Sequence, residues 1–259
     1  MSNDRAATPA VDDEAGNLPQ HSILGSVFLH LFPAIPVFIF YLLSGPAFIR
    51  NGLPAELGLL AGFVLVGIPI ELGYLLYLGK QRNGGPSLRG IVLFRRPMPV
   101  WQYVVFFLLL LSFAFFALFL TAPLTGFLAE NVFAWMPSFL LPDGSSAYPA
   151  PSRTAILITL ILRLIFDGVV NPVVEELYFR GYLLPRIAHL GWIAPLMSAF
   201  LFSLQHYWQP YNLPLIFLIQ IAIVYVVWWK KNIYISILAH CGGNLIGAAL
   251  SLIAFLSSP

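Results

Sequence analysis

The stretch that decides the fold reads Ala155-Ile-Leu-Ile-Thr-Leu-Ile-Leu-Arg163-Leu-Ile-Phe-Asp167-Gly-Val-Val-Asn171-Pro172-Val-Val-Glu175-Glu176-Leu-Tyr-Phe179-Arg180-Gly181. It is long and apolar enough to cross a bilayer, which takes roughly 20 residues. Yet Arg163, Asp167, Asn171, Glu175, Glu176 and Arg180 lie within it. Ionisable groups are expensive in hydrocarbon. They face a protein interior or a water-filled cavity, and they mark function.

The rest of the chain has the composition of a membrane protein. Of 259 residues, 59% are hydrophobic and only 9% are charged, against about 25% in a soluble domain. Mean hydropathy is +0.84. A soluble enzyme, a disordered tail and a nucleic-acid binder are excluded. The single cysteine, Cys241, excludes a disulfide scaffold and a cysteine-built zinc site. Residues 1–21, with Asp4, Asp12, Asp13 and Glu14, read as a disordered arm and not as a signal peptide.

The expected fold class is an all-α polytopic membrane protein with seven transmembrane helices and an intramembrane polar site. The spans are 23–43, 57–78, 101–123, 155–183, 192–208, 213–229 and 233–256. An eighth arises if the 124–153 loop, with Trp135, Phe139 and Leu140, enters the bilayer. Basic residues orient the set. Arg5, Lys80, Arg82, Arg89, Arg95, Arg96, Arg180, Arg186, Lys230 and Lys231 fall on one side, and only Arg50 and Arg153 on the other. The N-terminus is therefore expected in the cytoplasm and the C-terminus on the far side. Trp101, Trp192, Trp208, Trp228 and Trp229 fit interfacial belts. The basic 79–100 loop reads chiefly as this topology signal.

Helical spacing sorts the polar residues of the second half. Glu176 and Arg180 are i,i+4 with the acid first, the favourable order for an ion pair. Arg163 and Asp167 share that spacing and read as a structural pair. Glu175 has Phe179 at i+4 and so lacks a local cation, while Asp167, Asn171 and Glu175 form a stripe. Pro172 removes a backbone donor and holds Asn171 back from the α region, so a kink is expected ahead of the glutamates. His240 and Asn244 share one face of the last span, with Gly242 and Gly243 allowing close helix approach. At 1.5 Å per residue, Glu175 lies about 16 Å from Arg186, His240 about 14 Å and Asn244 about 20 Å from Lys231, and His206 about 21 Å from Trp192. These depths share one middle layer.

Such a set suits hydrolysis. The charged form of an unpaired buried carboxylate is disfavoured, which suits a general base. A histidine can share the water or relay its proton. A second histidine and an amide can donate to a developing oxyanion. No His-Glu-x-x-His or Gly-x-Ser-x-Gly is present. A metal held by Glu175, His206 and His240 remains a chemical alternative.

Three motifs stand in order: Glu175-Glu176-Leu-Tyr-Phe-Arg180, Phe202-Ser-Leu-Gln-His206 and His240-Cys-Gly-Gly-Asn244. They resemble the CAAX-protease and bacteriocin-processing family, also called the Abi family of intramembrane glutamic endopeptidases. The resemblance covers about residues 155–250. It implies that Glu175 and His206 activate water and that His240 and Asn244 form the oxyanion site. Glu176 and Arg180 would brace the arrangement, with Phe202 supporting it. No metal and no cofactor is implied. The chain then divides into the arm 1–21, N-terminal transmembrane helices over 22–150 and a catalytic core over 151–259. Expected partners are the lipid bilayer and a membrane-protein or lipidated peptide substrate, with no nucleic acid. A bacterial inner membrane is the expected location. The alternative is a non-catalytic membrane protein of the same fold, in bacteriocin immunity or as a scaffold. A transporter fits less well, since no repeated halves appear.

Overall fold

The computed structural model describes residues 18–142 and 148–258. The protein is all-α and polytopic. Six helices are long and apolar enough to cross a membrane: α1 (Ile23–Arg50), α2 (Glu56–Asn83), α3 (Val100–Val132), α4 (Arg153–Leu190), α6 (Pro210–Lys230) and α7 (Tyr234–Ser257). Between α4 and α6 lies α5 (Ile193–Leu204), apolar but shorter. Its 12 residues rise about 18 Å, less than the roughly 30 Å of hydrocarbon. The fifth expected span, 192–208, is thus a short helix continued by irregular chain. The 124–153 loop adds no further spanning helix among the described residues. Its Met136 and Leu140 instead pack with Tyr41 and Trp208 in a small satellite core.

Local signals set several helix ends. Ser22 and Ser152 cap α1 and α4, each Oγ accepting a backbone N–H at 3.1 Å. Gly84, at φ 73°, ends α2 in the left-handed conformation that glycine tolerates.

Connections gather at two opposite ends of the bundle. At one end His21 N–H donates to the Arg186 carbonyl at 2.8 Å, and Arg96 N–H to that of Lys231 at 2.9 Å. At the other, Tyr211 Oη donates to the Leu140 carbonyl at 2.9 Å and Arg153 Nη2 to that of Ser258 at 3.2 Å. The described chain starts at the first end and finishes at the second, so α5 and residues 205–209 together make a full pass.

Residues 1–17 of the expected arm lie outside the described residues. Its last four are not free: Leu18 joins the main core and Gln20 bonds the Pro185 carbonyl. Burying one leucine and docking on the end of α4 holds them in place. Trp208 is not a belt residue either. It is buried edge-on against Phe63 at 5.1 Å, whereas Trp101, Trp192 and Trp229 are exposed, as a lipid-facing belt requires.

The α2–α3 loop does more than carry cations. Its apolar segment Ile91-Val-Leu-Phe94 is buried in the main core, with Phe179, Leu183, Val227 and Ile233. Leu93 N–H donates to the Gly181 carbonyl at 2.8 Å, and Ile233 N–H to that of Phe94 at 2.7 Å. A Cβ on Gly181 would lie 2.5 Å from Val92 Cγ1, so glycine there lets the loop in. One core therefore runs from the first helices through the last.

Candidate active site

α4 presents the site. Its regular helix is interrupted by a π-helical turn at Phe166–Val170 and another at Glu176–Leu183, with one α turn, Asn171–Glu175, between them. Such wide turns recur at functional sites. The expected kink at Pro172 is replaced by this widening. Asn171 is helical, at φ −64° and ψ −50°, because the wide turn ahead of it accommodates the donor that Pro172 lacks. Asn171 and Glu175 then bond directly, Nδ2 to Oε1 at 3.0 Å.

Glu176 is fully buried between Arg180 and His240. Arg180 Nε lies 3.3 Å from its Oε2, the ion pair expected from spacing. His240 Nδ1 lies 2.9 Å from its Oε1. Arg180, also fully buried, bonds Gln220 of α6 and stacks 4.1 Å above the Phe202 ring. Phe202 thus supports the site by covering the guanidinium, with Phe179 edge-on at 5.0 Å.

His240 joins the two glutamates. Its Nε2 lies 3.8 Å from Glu175 Oε2. Glu175 therefore has an ionisable neighbour after all. It comes from α7, across the bundle, where spacing along α4 cannot reveal it. Since a carboxylate only accepts, the Nδ1 facing Glu176 carries a proton. Nε2 is left turned into the site.

His206 and Asn244 stand at the margins. His206 Nδ1 donates to the Phe202 carbonyl at 2.9 Å, which leaves Nε2 as the free ring nitrogen. Its ring is 5.1 Å from Phe202 and 5.1 Å from Trp208, and it interacts electrostatically with His240. Asn244 Nδ2 donates to the Asp167 carbonyl at 2.9 Å, two turns before Glu175 on α4. An amide has two N–H groups, so one remains. α7 can approach α4 this closely because a Cβ on Gly168 would lie 2.7 Å from Leu245 Cδ2, and Gly242 likewise admits the Phe107 ring of α3. Arg163 and Asp167 form the expected pair at 3.5 Å, partly exposed and outside the site.

Two participants were not foreseen. Gln220 shares Arg180, and Glu71 of α2 is buried and interacts electrostatically with Glu175, Arg180 and Glu176. The signal for Glu71 was its charge inside an apolar span. Among the described residues, no three or more His, Cys, Asp or Glu are grouped to hold a metal ion. Glu175, His206 and His240 do not form such a set.

Residues 157–246 match the family model of the type II CAAX prenyl endopeptidases, Rce1-like. No curated protein and no solved structure matches the chain.

Proposed function

We propose that this chain is an intramembrane endopeptidase. It hydrolyses a peptide bond with water activated by Glu175, in a membrane-associated substrate of the CAAX type or another lipidated peptide. The observation that carries this reading is the linked Asn171–Glu175–His240–Glu176 geometry: one Glu175 oxygen is held by an amide, and the other faces a histidine whose far nitrogen is held by Glu176. The family match over residues 157–246 supports a protease.

In this mechanism Glu175 takes a proton from water while the water oxygen bonds to the carbonyl carbon. His206 Nε2 orients that water. The negative charge grows on the carbonyl oxygen. The remaining Asn244 N–H and a protonated His240 Nε2 donate to it, and Glu176 stabilises the imidazolium through Nδ1. As the carbon–nitrogen bond breaks, Glu175 returns its proton to the departing amine. The low dielectric around Phe202 and Phe179 strengthens these interactions.

We assign the end holding Lys80, Arg82, Arg89, Arg95, Arg96, Arg186, Lys230 and Lys231 to the cytoplasm of a bacterial inner membrane, on the asymmetry of Lys and Arg; Arg180, buried in the site, does not count toward it. The test uses purified protein in lipid nanodiscs with a fluorogenic farnesylated CAAX peptide and its unprenylated twin. Cleavage by the wild type and none by Glu175→Ala is expected. Equal membrane peptidomes from cells with and without the protein, together with no cleavage of either peptide, would favour the non-catalytic alternative.

A further inference from the structure

Glu71 lies outside the stretch that matches the family model, yet it faces the same buried site. The residue is 6% exposed, and its Oε2 has no hydrogen-bond partner. The helix around it offers no cation, since Gly67, Ile68, Tyr74 and Leu75 occupy the neighbouring turns. Its orientation follows from packing. One turn on, Tyr74 meets the Tyr178 and Tyr182 rings of α4 at 6.3 and 5.7 Å. This face of α2 packs on the Asn171–Glu175 and Glu176–Leu183 turns. Glu71 interacts electrostatically with Glu175, Arg180 and Glu176, and with Tyr178.

The charges near it do not balance. From α4 come Glu175, Glu176 and Arg180, with Tyr178 and Tyr182. From α7 comes His240, and beyond α5 comes His206. Arg180 and Glu176 neutralise one another, and a protonated His240 balances one further carboxylate. Three carboxylates therefore exceed two cations by one, and an unbalanced buried charge is costly. Glu176 is doubly engaged by Arg180 and His240. The proton that removes the excess belongs to the other two carboxyls.

We propose that Glu71 and Glu175 form one carboxyl pair sharing a single proton, with Glu71 the positioning residue that lets Glu175 meet water as a carboxylate in a site of no net charge. The proposal rests on the hydrolytic reading for its role, and for its existence on the burial of Glu71, its unpartnered oxygen and the packing of α2 on the turn that carries Glu175. When water attacks, its oxygen bonds to the carbonyl carbon and its proton joins Glu175, so both carboxyls are briefly protonated. The negative charge then sits on the oxyanion. Collapse breaks the carbon–nitrogen bond, the Glu175 proton goes to the amine nitrogen, and the pair again holds one proton. Two carboxylates placed close together cannot both ionise readily, and such a pair titrates as a unit.

Infrared spectroscopy of the intact protein in nanodiscs at neutral pH reads the shared proton directly, through the carbonyl stretch of a protonated carboxyl. The wild type should show that band. It should be lost in Glu71→Gln and equally in Glu175→Gln, because removing either carboxyl leaves two carboxylates against Arg180 and a protonated His240, with no excess charge to neutralise. Glu56→Gln, which alters an exposed carboxyl at the start of α2, should leave it intact. A band that persists in Glu71→Gln, or that is lost there but kept in Glu175→Gln, overturns the pair. Should Glu71→Gln fail to fold, Glu175→Gln alone decides: loss supports the pair and retention overturns it. Loss in both variants of a protein with no peptidase activity would remove the hydrolytic reading and leave the pair. Activity with an unaffected band would do the reverse.

Discussion

His240 Nδ1 lies 2.9 Å from Glu176 Oε1, and through this contact the last helix is fixed to the fourth. The bond leaves His240 Nε2 free to face Glu175 and sets which ring nitrogen works in the site. Glu176 is thereby a structural anchor for two side chains, Arg180 and His240.

Glu176→Gln should consequently lower stability as well as activity. Leaving a buried cation unpaired typically costs about 3–5 kcal/mol. Thermal unfolding of the detergent-solubilised protein checks this. An unchanged midpoint would show that the pair does not carry the structural role.

Glu175→Gln should do the opposite and fold normally while losing turnover. The amide keeps the volume and the Asn171 contact but cannot accept a proton from water. Glu175→Asp should retain little activity, since the shorter side chain withdraws the base by one methylene. Size-exclusion profiles and initial rates on the farnesylated peptide separate the two effects. Reversible inactivation by a chelator, restored by zinc, would replace this mechanism with a metal-dependent one.

Asn244→Ala should lower kcat with little change in KM. Losing one oxyanion donor costs on the order of 100-fold or more in turnover. The double variant with His240→Ala should lose far less than the product of the single losses, because the two act on one charge. Wild-type kcat in Asn244→Ala would remove the role. The Asp167 carbonyl contact would then be the residue's only function.

Gly181→Ala should destabilise the protein by about 1–3 kcal/mol, the usual range for overpacking. The added methyl would strike Val92. Val92→Ala in the same chain should recover much of the loss. A double variant no more stable than Gly181→Ala alone would mean that the cost lies in the helix backbone and not in this contact.

Topology reporters should read cytoplasmic after Lys231 and exterior after Ser258. The bundle already separates the two positions, since Lys231 bonds Arg96 at one end and Ser258 bonds Arg153 at the other. Both reporters on one side would contradict a full pass through α5 and residues 205–209.

What could be read in advance was what is local. The Glu176–Arg180 and Arg163–Asp167 pairs, the His240–Asn244 face and the long apolar helices follow from spacing and composition. The widened turns of α4 did not follow, because the same residues satisfy an ordinary helical pattern with a proline kink. The neighbours His240 and Gln220 lie across the bundle from α4, and no spacing rule along that helix reaches them. Glu71 has no polar companion at helical spacing, so it formed no motif, though its charge alone was a sign. Ile91–Phe94 was hidden by its setting. Four apolar residues among arginines look like a connection, not a core.

That buried loop also has a history within synthesis. Ile91–Phe94 leaves the ribosome well before Gly181 and Ile233, the residues with which it shares backbone hydrogen bonds. Until α4 and α7 have followed, the loop lacks Phe179, Leu183, Ile233 and both of its backbone partners. Its docking must close the assembly, after the helices are in the membrane. Biogenesis of this protein therefore ends at the membrane surface, and a nascent chain stalled before α7 would display this apolar loop as its mark of incompleteness.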